Sequence, residues 1–113
     1  MQYILIQYAS FLQQPTKMKL LEYLYDRGLY VSNEDEILYY ITNHIQVIDS
    51  LEEATRIYMD FFPNAVHILY VEDNKLVYEI MFDDAEQRNK AMFLVRSLQK
   101  QVPEFVICFS IKC

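Results

Sequence analysis

A single glycine, Gly28, and three prolines are all that the 113 residues contain of the two strongest chain breakers. Flexible Gly-rich linkers are therefore excluded, and so are the glycine loops that cradle phosphates. Tryptophan is missing. No apolar run approaches the roughly 20 residues that cross a bilayer as a helix. The apolar stretch from Met1 to Leu12 has no basic flank and no small-residue cleavage site, so it reads as a strand and not as a leader. Positive charge is also scarce: 10 Lys and Arg against 16 Asp and Glu leave a net charge of -6. Such a surface repels phosphates, which argues against nucleic acid and against an anionic membrane as direct partners. Two cysteines, Cys108 and Cys113, lie five residues apart on or beside one extended strand. At strand rise their Cα atoms stand on the order of 16 Å apart, beyond disulfide reach. Both read as free thiols, which fits a reducing cytoplasmic compartment.

What the chain does have is a core. Hydrophobic residues make up 53% of it, with ten tyrosines and seven phenylalanines. Disordered chains are poor in these types, and the length suits one domain spanning residues 1–113. Tyrosine joins a large apolar ring to a polar tip, so its abundance suits half-buried surfaces and contacts.

Local signals divide the chain into elements. Tyr3 to Tyr8 reads as a strand. A helix starts near Pro15, carries Met18, Leu21, Leu24 and Tyr25 at helical spacing, and stops at Arg27-Gly28. The stretch from Tyr30 to Asp49 supports two readings. Ile37, Leu38, Ile41, Ile45 and Ile48 fit a helical face, with Ser32 and Asp35 spaced as a capping box. The run from Ile37 to Thr42 is also rich in β-formers, and Ile45 to Ile48 alternates, so the strand reading is preferred. Ser50 and Glu53 have capping-box spacing ahead of a stripe of Leu51, Ala54, Ile57, Tyr58 and Phe61. Ala65 to Val71 and Leu76 to Phe82 are expected strands, joined by a tight turn at Glu72-Asp73-Asn74-Lys75. Asp84 caps a further helix with Ala91, Leu94, Val95, Leu98 and Val102 buried. Pro103 then introduces a strand with Phe105, Ile107, Phe109 and Ile111 on one face.

From Ile45 to Ile111 the order is strand, helix, strand, strand, helix, strand. It predicts an α+β, ferredoxin-like βαββαβ sandwich over residues 45–113, with helices on one face of an antiparallel sheet and residues 1–44 as a strand-helix extension. The free face of such a sheet is ordinarily polar. Here Val66, Ile68 and Tyr70 alternate with Ala65, Leu69 and Val71, and Glu79 alone interrupts Leu76 to Phe82. The second face is therefore expected to be apolar and covered by the N-terminal residues, by a second copy of the chain or by a foreign partner.

Few residues offer chemistry. His44, His67, Cys108 and Cys113 lack the close paired spacing of zinc ligands, so no metal and no cofactor is expected. Cys108 sits in an apolar strand where burial makes a thiol inert. A Cys/His enzyme requires His67 to land beside Cys108. The acidic runs Glu34-Asp35-Glu36, Glu52-Glu53, Glu72-Asp73 and Asp83-Asp84 flank elements, where capping and the helix dipole explain them.

One stretch resembles a known family. Ile45-Gln46-Val47-Ile48-Asp49-Ser50-Leu51-Glu52-Glu53-Ala54, followed by Ile68-Leu69-Tyr70 and Lys75-Leu76-Val77-Tyr78, is similar to the C-terminal domain of the MecA-type adaptor proteins. The resemblance covers Ile45 to about Ile111. It implies a scaffold that binds an AAA+ unfoldase through its sheet and acidic surface. The chain departs from that family in lacking its acidic linker and separate N-terminal recognition domain, so no individual residue's role is carried over.

Together these features point to a non-enzymatic protein-binding module, either an adaptor or a small acidic inhibitor. The contact residues expected are Tyr39, Tyr40, Tyr70, Glu72, Asp73, Tyr78 and Glu79, with aromatic anchors and carboxylates that select a basic surface on another protein. The alternatives are a small-ligand sensor that forms a homodimer through its sheets, and a small enzyme that uses His67 and Cys108.

Overall fold

The computed structural model describes residues 21–98 and 102–112. The strand expected at Tyr3 to Tyr8, the helix start near Pro15, and Cys113 lie outside them. Residues 21–26 are helical, and the chain leaves that helix at Gly28 with φ +99°. Only glycine takes this conformation without strain, so the single glycine is spent on a helix stop.

From there the order is β1 (Leu29–Val31), α1 (Glu34–Asn43), α2 (Val47–Phe61), β2 (Val66–Glu72), β3 (Lys75–Phe82), α3 (Ala85–Leu94), a 3₁₀ turn (Val95–Ser97) and β4 (Phe105–Ile111). Asn33, not Ser32, caps α1: its side-chain oxygen accepts from the Glu36 backbone N–H at 3.1 Å. Three acidic residues in the first turn complement the positive helix end.

The strands expected at Ile37 to Thr42 and at Ile45 to Ile48 are not there: the first stretch lies in α1 and the second leads into α2. Val47, Ile48, Leu51, Ala54 and Tyr58 recur at helical spacing and are all buried in α2. That burial outweighs the β propensity of Ile and Val. Ser50 and Glu53 consequently sit inside α2 and do not open it. Phe61, expected in the buried stripe, is 65% exposed at the helix end. Asp84 does cap α3, accepting from the Gln87 N–H at 2.9 Å.

The four strands form one mixed sheet in the order β1-β2-β3-β4. β2 and β3 are antiparallel, and Glu72 pairs with Lys75 in register. Asp73 and Asn74 therefore make a two-residue turn, both with positive φ (52° and 61°), as the twist of a tight hairpin requires. β1 is parallel to β2 and β3 is parallel to β4. The fully antiparallel sheet expected from the sequence is thus replaced by a mixed one. In a split βαβ arrangement a further strand separates the parallel partners; here each parallel pair is adjacent. Helical crossovers, α1 with α2 and then α3, return the chain in the same direction each time.

Helices and the core face of the sheet share one cluster that includes Leu21, Leu24, Ile37, Ile41, Leu51, Tyr58, Leu69, Leu76, Tyr78, Ile80, Phe82 and Ala91. Tyr58 packs against Phe109 and Tyr78 at ring-centre distances of 5.5 and 6.2 Å. Its hydroxyl donates to the Ala91 carbonyl, so the buried ring carries no orphaned polar atom.

Candidate functional site

Register decides which side chains share the far face of the sheet. Ile68 pairs with Glu79, and Glu79 pairs with Cys108. The flanking pairs are Tyr70 with Val77, Val66 with Met81, Val77 with Val106 and Met81 with Ser110. These side chains point away from the core cluster, because successive residues of a strand alternate faces. The centre of the outer face is thus built from Val66, Ile68, Tyr70, Val77, Met81, Val106 and Cys108 around Glu79, with Tyr30 on the β1 side, Ser110 on β4, and Glu72 and Lys75 at the hairpin end. Most of them are half-buried, and Val77 is only 8% exposed.

Glu79 is held from both sides. The Tyr70 hydroxyl donates to its Oε1 at 3.1 Å, and the Ser110 hydroxyl donates to its Oε2 at 3.1 Å. Both donors are diagonal to Glu79 across neighbouring strands, a separation that long side chains span. Burial first, and then the carboxylate beside it, push the Tyr70 phenol up to about 12. Burial, with Glu79 and Glu72 adding to it, also raises the Cys108 thiol. Cys108 is therefore held as the thiol, its less reactive form.

The contact residues named from the sequence do not form one surface. Tyr70 and Glu79 meet on the outer face. Glu72 and Asp73 are exposed at the hairpin end. Tyr39 is 74% exposed on α1. Tyr78 is fully buried in the core, and Tyr40 is 5% exposed. The Tyr40 hydroxyl donates to the Asn74 carbonyl at 2.9 Å, with the Glu104 carbonyl at 3.2 Å, and so ties α1 to the hairpin turn and to the start of β4. Its ring stacks on His44, 4.0 Å between centres. Tyr39, Tyr40, His44, Glu36, Asn43 and Asn74 border an open groove of about 560 Å³ beside that turn.

Tyr78 belongs to a buried chain of hydrogen bonds. Its hydroxyl lies 2.7 Å from His67 Nδ1, and His67 Nε2 lies 2.9 Å from the Phe62 carbonyl. A carbonyl can only accept, so Nε2 carries the proton and Nδ1 accepts from Tyr78. This satisfies a neutral ring completely. Burial holds the His67 pKa below its ordinary value, against the opposing pull of the Phe62 carbonyl. His67 faces the core and Cys108 the outer face, so the Cys/His pair that a thiol enzyme needs is not assembled. Among the described residues no group of three or more His, Cys, Asp or Glu side chains is placed to hold a metal ion. No described helix is long and apolar enough to cross a membrane.

The contact residues expected from the sequence left out Ile68, Val77, Ser110 and Cys108, which the register places on this face. Alternation and the two-residue turn were enough to place Ile68 and Tyr70 beside Glu79 and Val77. The β3–β4 register, which brings in Ser110 and Cys108, has no local signal. Neither a family model, nor a curated protein, nor a solved structure matches the chain.

Proposed function

We propose that the chain is a non-enzymatic protein-binding module whose outer sheet face receives another protein. One observation carries this reading. The centre of the face is apolar and surrounds one carboxylate, Glu79, that Tyr70 and Ser110 fix in place, with Glu72 and Lys75 at its hairpin edge. Sheets that leave one face in water ordinarily alternate polar residues onto it. A contiguous apolar surface with a rigid tyrosine and a central polar group has the make-up of a contact surface. The likeness of residues 45–111 to the MecA-type adaptor domain supports the same class, a scaffold without chemistry of its own, although the strand implied at Ile45 to Ile48 is helical.

Affinity capture from the native cells tests the reading. The intact chain is compared with Ile68→Lys, which plants a charge in the middle of the face, and with Arg56→Ala on the exposed side of α2. The reading expects a partner retained by the intact chain and by Arg56→Ala and lost with Ile68→Lys. A partner set unchanged by Ile68→Lys would overturn it.

A further inference from the structure

We propose that the outer face takes a partner segment that lays one Lys or Arg side chain on the Glu79 carboxylate, inside an otherwise apolar contact. This rests on the reading of that face as protein-binding and adds the chemistry of what binds.

Glu79 stands mid-strand with Ile68 on one side and Cys108 on the other. Tyr70 and Ser110 orient its two oxygens but leave the charge uncancelled. A carboxylate offers about four acceptor positions, and these two donors fill half of them. Neither cation nearest in register reaches Glu79: Lys75 lies four residues away along β3, about 13 Å at strand rise, with Glu72 opposite it in register, and Lys112 bonds to Asp83 at 3.0 Å and to the Asn64 carbonyl.

Three occupants can be weighed on that basis. A wholly apolar partner would strip water from Glu79 and leave an unpaired charge in the interface, which is costly. A second copy laid face to face would set its own Glu79 against this one, and like charges repel. A cation resolves both problems. An ammonium accepts the charge, and a planar guanidinium can also donate to both oxygens. The chain's net charge of -6 steers a basic partner toward it as well.

Panning a random 12-residue peptide library on the full chain provides the probe. Enriched peptides are synthesised and their binding measured to the intact chain, to Glu79→Gln and to Ile68→Lys, with melting curves to confirm that each variant folds. Gln preserves both contacts: Tyr70 still donates to its oxygen, and its amide donates to the Ser110 hydroxyl. The expected peptides carry a Lys or Arg flanked by apolar residues. They should bind Glu79→Gln roughly tenfold or more weakly, and replacing their Lys or Arg by norleucine should give the same loss with no further loss on Glu79→Gln. Peptides that bind Glu79→Gln as well as the intact chain but fail on Ile68→Lys overturn the cation while leaving the face as a binding surface. Peptides indifferent to Ile68→Lys overturn the face itself. An empty selection, or a dimer in sedimentation that Ile68→Lys dissolves, also refutes the proposal.

Discussion

Lowering the pH from 7.5 to 5.5 should destabilise the fold through His67, and the structure sets the size of the effect. The ring is buried and bonded as the neutral form, with Nε2–H donating to Phe62 and Nδ1 accepting from Tyr78. Protonating Nδ1 would set two donors against each other and place a charge where water cannot reach it. The folded pKa is accordingly depressed, whereas in the unfolded chain it is about 6.5. Below that value the unfolded state binds a proton that the folded state refuses. Stability from this group is full above about pH 6.5 and drains as the pH falls toward the folded pKa, at up to about 1.4 kcal/mol per pH unit. Glu52, exposed on α2, acts with the opposite sign and weakly at lower pH: partial desolvation and then Asp49 raise its carboxyl, so its contribution is lost as the pH rises through that raised value. The assay is urea unfolding of the intact chain and of His67→Gln at both pH values. Gln keeps a donor and an acceptor but cannot titrate, and the other ionisable groups are common to both proteins. The intact chain should lose up to about 1.4 kcal/mol more than the variant between pH 7.5 and 5.5, a midpoint difference of up to about 1 M urea for a small domain. Parallel losses in the two proteins would refute the neutral, doubly bonded ring.

Three further outcomes follow from single residues. Gly28→Ala should cost about 1 kcal/mol in denaturant unfolding, through backbone strain at φ +99° alone, since an added Cβ meets nothing within 4 Å; a neutral result would show that the turn relaxes. Asp84→Ala should cost about 1 kcal/mol by freeing the Gln87 N–H at the start of α3, and Asp84→Asn should restore most of it. At pH 8 native Cys108 should react with a thiol reagent more slowly than free cysteine, because burial and Glu79 raise its pKa. Denaturant should abolish the difference.

The elements with strong local grammar were legible in the sequence. Gly28 as a helix stop, the Asp73-Asn74 turn, Asp84 as a cap, and β2, β3 and β4 each announce themselves within a few residues. Ile45 to Ile48 misled because β-branched residues sit at positions that serve either period, and tertiary burial in α2 decided the outcome. The three-residue β1, with its parallel pairing to β2, is too short to carry a pattern. Strand order likewise depends on where the crossover helices bring the chain back. Half of the candidate site could be read: Tyr70 and Glu79 follow from alternation on a hairpin of fixed register. Tyr78 was misplaced because tyrosine composition cannot separate a core ring with a bonded hydroxyl from a contact ring. Ser110 stayed hidden because its role depends on the parallel β3–β4 register.

Photo-crosslinking from within the outer face tests the account most directly. A benzoylphenylalanine is placed at position 66, on the outer face opposite Met81, and in a second protein at position 56, on the exposed side of α2; both are irradiated in the native cells. The account expects a discrete adduct with another protein from position 66 and none from position 56. No adduct from position 66, or the same adducts from both, would contradict it.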